Sequence, residues 1–123
     1  HGSTFGGNPL AASVASKALD LIYDDNLISN SKEMGAYLSN QIRDLNLEII
    51  KDVRGKGLWI GVELDKRVSA KKVCLALMHE GILAKETHAT VIRFAPPLII
   101  TKEEIDWAME RIKRVLNNFA AQV

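Results

Sequence analysis

A single cysteine, Cys74, leaves this chain of 123 residues with no partner for an internal disulfide and no thiolate set for zinc. Such scarcity suits a reducing, cytoplasmic compartment. An excess of one charge sign is missing too. Sixteen basic residues stand against fifteen acidic ones, a net charge of +1, and the basic residues are scattered rather than gathered into runs. Neither nucleic acid nor an anionic membrane is therefore expected as a partner. No uninterrupted apolar run approaches the roughly 20 residues of a membrane span, and the first residues lack the basic-then-apolar pattern of a signal peptide. His1, His79 and His88 are too far apart for metal-ligand spacing, so no metal site is expected. A G-x-S-x-G elbow that would mark a nucleophilic serine is also absent.

With 47% hydrophobic and 25% charged residues, what is present describes an ordinary globular protein, one domain or a large piece of one. Its opening segment, His1-Gly2-Ser3-Thr4-Phe5-Gly6-Gly7-Asn8-Pro9, gathers three glycines and two hydroxyls ahead of a helix start. Asn8 suits the N-cap, and Pro9 suits the first helical position, where its missing N–H costs nothing. Two readings of the loop are open. It is a flexible entry to a helix, or its N–H groups and hydroxyls face an anion with the helix dipole behind them. The chain opens inside this loop and on a residue other than methionine. The expectation is a C-terminal portion of a longer protein.

Ala11, Val14, Ala15, Ala18, Leu19 and Ile22 recur at helical spacing and predict a first helix, ending near Asp24-Asp25-Asn26. A second helix is predicted from about Leu27 to Leu45, where Gly35 costs stability unless it allows a close contact. Residues 48–53 read as a short strand, Arg54-Gly55-Lys56-Gly57 as a turn, and Leu58 to Leu64 as a central strand with both faces partly covered. Gly61 within it invites close approach by another backbone or helix. Ser69 to Glu80 reads as a third helix, capped by Ser69 and ended by Gly81. Strands are predicted over 82–85 and 91–94, with 86–90 as a polar connection. Thr101 and Glu104 form a capping box for a last amphipathic helix, whose tail from Ala120 is expected to fray. The order predicts an α+β fold, one small sheet covered by helices.

Arg93 is the strongest candidate for chemistry. It sits in an apolar strand just before Phe94-Ala95-Pro96-Pro97, where regular pairing stops. An arginine there snorkels out or finds a carboxylate, either a structural Asp or Glu or that of a small substrate. The pattern alone favours the structural partner. Arg54, read as a turn residue, is expected to be solvated, Lys85 to be an ordinary surface lysine, and Cys74 to pack in a helix.

These segments together resemble a known family. His1 to Pro9 is similar to the H-G-x-T-[FY]-G-G-N-P segment of class III, fold type I, pyridoxal-phosphate aminotransferases. Val53-Arg54-Gly55-Lys56-Gly57-Leu58 resembles the V-R-G-x-G-L hairpin that opens their small C-terminal domain. Lys85-Glu86-Thr87-His88, followed by Ile92-Arg93-Phe94-Ala95-Pro96-Pro97-Leu98, resembles the ornithine aminotransferase branch. The resemblance implies an interface loop and connecting helix from the large domain over 1–25, and the small α/β domain over 26–123. It implies a homodimer in which Ser3 and Thr4 reach the cofactor phosphate held mainly by the partner subunit. Arg93 would take the α-carboxylate of glutamate or 2-oxoglutarate. The implied reaction moves the δ-amino group of ornithine to 2-oxoglutarate, yielding glutamate and glutamate semialdehyde. The semialdehyde cyclises to pyrroline-5-carboxylate, in proline and arginine metabolism. In the family, the Schiff-base lysine, the acid at the pyridine nitrogen and the stacking aromatic lie upstream of the segment matching His1. No catalytic residue is therefore expected here, and these residues alone should be inactive. An acetylornithine or other ω-amino-acid aminotransferase, or a stand-alone binding or dimerisation module, are the alternatives.

Overall fold

The structure is a computed structural model that describes residues 2–123. Helix α1, Pro9–Asp24, starts where expected, with the Asn8 side chain accepting from the N–H groups of Leu10 and Ala11. It packs against α2, Leu27–Arg43, yet none of its own residues is buried. Strands β1, Ile50–Lys56, and β2, Trp59–Leu64, form a hairpin. Helix α3, Ala70–His79, follows, then the hairpin of β3, Lys85–His88, and β4, Val91–Phe94, and finally α4, Lys102–Ala120. The four strands form one antiparallel sheet in the order β1-β2-β4-β3.

One face of that sheet is covered. Helix α2 lies against β1 and β2, α3 against β3 and β4, and α4 packs on both helices. Ile60, Val62, Leu64 and Ile92 from the sheet meet Ile42, Leu77, Ile105 and Ile112 from the helices, and all are buried. Full burial of such a side chain contributes about 1.5–3 kcal/mol. Among the described residues, no helix packs on the other face. Strand β2 is an inner strand, as expected, and its second face is only partly covered: Gly61 and Glu63 are intermediate and Trp59 is exposed, the alternation of a half-buried strand.

Two strand boundaries also differ. The hairpin turn takes only Gly57 and Leu58, so Arg54, Gly55 and Lys56 belong to β1. Gly57 supplies a φ of +55° that an L side chain adopts with strain. A methyl group on Gly35 would overlap the Gly57 carbonyl, so α2 and the turn meet backbone to backbone, as the helix glycine suggested. Ser31 Oγ accepts from Leu58 N–H at 3.1 Å beside that contact. On the other edge β3 begins at Lys85, and the segment read as a connection is itself the strand. Ile82 instead bonds back to the Leu77 carbonyl as α3 ends, which keeps residues 82–84 out of the sheet.

Candidate functional site

The side chains of β2 alternate, so Trp59, Gly61 and Glu63 face away from the helices. Register places Arg54 of β1 and Arg93 of β4 on either side of Gly61, and Lys85 of β3 beyond Arg93. Three cations thus line one row of the open face, with a gap where Gly61 has no side chain. A Cβ on Gly61 would meet Arg54 and Val91 only at ordinary contact distances of 3.8–4.0 Å. The glycine does not mark a close approach by another backbone, and the Arg54 stem runs beside it.

Arg54 belongs to β1 and not to the turn, and its exposed side chain is also engaged. Its Nη1 donates to Asp52 Oδ2 at 2.9 Å and to Glu63 Oε2 at 2.8 Å. The Asp52 and Glu63 carboxylates keep its guanidinium more firmly protonated than usual. Asp52 and Glu63 lie directly opposite each other across the hairpin, where two carboxylates repel unless a cation sits between them.

Arg93 is half-buried, and its side chain makes no hydrogen bond or ion pair with another described residue. The structural carboxylate favoured by the sequence pattern is thus absent among the described residues. Glu63, the nearest acid on that face by register, is held by Arg54. Arg93 instead lies over the Trp59 ring, its guanidinium carbon 5.4 Å from the ring centroid. A cation over an indole face is attracted by the ring quadrupole, and the ring sets its direction while leaving its N–H groups free. Trp59 is 64% exposed, an unusual placement for a tryptophan unless its face has a use. The sequence reading did not single out Trp59 or the Arg54–Glu63 pair. A hairpin register counted from a two-residue Gly57-Leu58 turn brings Arg54 beside Glu63, whereas Trp59 meets Arg93 only through the β2–β4 pairing, which no local signal marks.

Ser3 and Thr4 lie in the exposed opening loop, and Thr4 begins a turn. Gly6 N–H donates to the Ser3 carbonyl at 3.3 Å and Asn8 N–H to that of Phe5 at 3.1 Å. The N–H groups of Ser3, Thr4 and Phe5 bond to no described residue, and a Cβ on Gly2 or Gly7 would meet nothing within 4 Å. Asn8 occupies the N–H groups of Leu10 and Ala11, so donors for an anion come from the loop, not the first helical turn. Hydroxyls and unpaired amides of this kind suit phosphate oxygens. The structure does not bring this loop into hydrogen bonding with the Arg93 face. His1 lies outside the described residues.

Elsewhere, an apolar hollow of about 650 Å³ lies between the 81–84 segment, Phe94 to Pro97 and α4. Arg93 does not line it, and its lining is mostly apolar apart from Glu103 and Glu104. Asp65 is clamped by Arg67 Nε at 2.8 Å, the Arg67 N–H at 2.9 Å and Lys51 Nζ at 3.1 Å. These donors, the Arg67 side chain foremost, hold its carboxyl well below the usual range. Cys74 is buried, and burial pushes its thiol up. No described helix is long and apolar enough to cross a membrane.

The class-III aminotransferase profile matches residues 1–116. Among curated relatives, the ornithine aminotransferase of Staphylococcus carnosus is 57% identical over 117 residues, 95% of this chain and 29% of that protein. The chain thus spans less than a third of the length of such relatives. Among solved structures, the ornithine aminotransferase from Toxoplasma gondii superposes with a TM-score of 0.92 at 38% identity, covering 100% of this chain and 30% of that one. Acetylornithine aminotransferase from Elizabethkingia anophelis gives 0.89 at 41% identity, covering 97% and 32%. The four helices and the antiparallel sheet correspond to a portion of fold type I aminotransferases. With its opening loop, hairpin and arginine strand in one matching order, the chain belongs to the class-III aminotransferase family.

Proposed function

We propose that this chain is the C-terminal part of an ornithine δ-aminotransferase. The whole enzyme would be a homodimer that moves the δ-amino group of ornithine to 2-oxoglutarate. Residues 1–25 would be the interface loop and connecting helix, and residues 26–123 the small domain. One observation carries the reading. Arg93 stands on the open face of the sheet with its N–H groups unpaired among the described residues and its plane set by Trp59. It is ready to take a planar carboxylate through two parallel hydrogen bonds.

Pyridoxal phosphate, when bound, supplies the electron sink for moving the amino group. Ser3 and Thr4 would give hydroxyl and amide donors to its phosphate on the partner subunit, a role their exposure and lack of other partners supports. Arg93 would bind and orient the α-carboxylate of glutamate or 2-oxoglutarate. The proposed products are glutamate and glutamate semialdehyde, which closes to pyrroline-5-carboxylate.

In the full-length protein, Arg93→Ala should weaken the 2-oxoglutarate half-reaction about 10- to 100-fold, the worth of a charge-assisted carboxylate contact. The ornithine half-reaction should change far less, and equal losses in both would make Arg93 structural. The likeness to an acetylornithine aminotransferase keeps a second substrate in view. Specificity constants for ornithine and acetylornithine separate the two.

A further inference from the structure

Gly61 is paired with Arg54 on one side and Arg93 on the other, and Glu63 follows two residues later on the same face. Glu63 is therefore a diagonal cross-strand neighbour of both arginines, at a spacing of about 7–8 Å between Cα atoms that a long side chain spans. Only one of them holds it. Arg54 Nη1 bridges Glu63 at 2.8 Å and Asp52 at 2.9 Å, while Arg93 turns the other way, onto Trp59. Without Arg54, the two facing carboxylates would lose the cation between them, and Arg93 would be the nearest guanidinium left to Glu63. Lys85 lies on the far side of Arg93, one strand further from Glu63.

From this we infer that Arg54 is a positioning residue for the dicarboxylic substrate: by holding Glu63 it keeps that carboxylate off Arg93 and leaves Arg93 open to the substrate's own. The inference rests on the reading of Arg93 as a carboxylate binder. It concerns affinity for the oxo acid and not the chemical step, because Arg54 touches no reacting atom.

The test uses the full-length dimer and two readouts: the KM for 2-oxoglutarate, and calorimetric binding of glutarate, a dicarboxylate that cannot react. Arg54→Gln should weaken both about tenfold, the scale of one charge-assisted contact, and leave the ornithine half-reaction unchanged. Adding Glu63→Gln should restore both to near the parent values, because the competing charge is then gone. Glu63→Gln alone should leave them unaltered. Should Arg54→Gln not fold, Arg54→Lys retains a cation in the hairpin and should show a smaller loss with the same rescue. A loss that Glu63→Gln does not rescue, or that falls equally on both half-reactions, would make Arg54 merely structural and overturn the inference. Arg93→Gln is measured alongside. If Arg93→Gln weakens glutarate binding and the Arg54 variants do not, the inference alone fails. If Arg93→Gln leaves glutarate binding intact, the reading beneath it fails and takes the inference with it.

Discussion

Trp59 and Arg93 are diagonal neighbours across β2 and β4, and Gly61, directly opposite Arg93, brings no side chain to compete for the space over the ring. Replacing Trp59 with leucine removes a ring face worth about 0.5–1 kcal/mol to an exposed cation. In the full-length protein, Trp59→Leu should raise the KM for 2-oxoglutarate about two- to fivefold, and Trp59→Phe should recover part of it. A different single residue sets the acid limit. Asp65 has its native pKa lowered by Arg67 and Lys51, against an unfolded value near 3.9. The clamp's contribution is present above about pH 4 and is lost as pH falls through the lowered native value. Asp65→Asn should therefore lower the melting temperature near neutral pH, and the gap to the parent should narrow as the solution is acidified below about pH 4. A gap independent of pH would mean that the Asp65 charge is not what the clamp uses. Arg93 was recognisable from an arginine amid apolar strand residues. Its neighbours were not, since an alternation of exposed residues says nothing of which strand lies alongside.

At the scale of elements, the helices were legible because their ends carry chemistry. Asn8, Ser69 and Thr101 each cap where the side chain and the following pattern required. Thr101→Ala should cost about 1 kcal/mol in chemical denaturation, because it removes one arm of the capping box. Strand ends were harder to place. β3 consists of Lys-Glu-Thr-His on a sheet edge, where one face and one side meet solvent, so no apolar alternation marks it. The apolar residues just before it, Ile82, Leu83 and Ala84, read as strand but run outside the sheet. Between α2 and the first hairpin the backbones touch. Gly35→Ala should destabilise by about 1–3 kcal/mol or more, since the Gly57 carbonyl must move to admit a methyl group. An unchanged denaturation midpoint would show that the turn yields freely.

For the whole molecule, α1 presents Leu10, Val14 and Leu19 to solvent and buries no residue of its own, while Phe5 ahead of it is 77% exposed. The Ser3–Thr4 half of the proposed site therefore lies beside apolar surface that no described element of the chain buries, and no periodicity within the chain says what would face it. Two outcomes belong to this scale. Thr4→Ala in the full-length dimer should weaken retention of pyridoxal phosphate by about 1 kcal/mol, or more where phosphate charge assists. Unchanged retention, measured by cofactor release on dilution, would remove Thr4 from the site. These 123 residues purified alone should develop no cofactor-linked visible absorption and no ornithine-dependent turnover.

The contact between Gly35 and Gly57 also acts as a ruler. A strand that slips by one residue turns every side chain to the opposite face, which would drive Arg54 and Trp59 inward. Because α2 rests on the turn backbone itself, it fixes where the hairpin reverses, and through that which residues line the open face. A relative with a bulky residue in place of Gly35 should therefore count its β1–β2 pairs differently. Its arginine two residues before Lys56 could then no longer be assumed to share a face with Arg93.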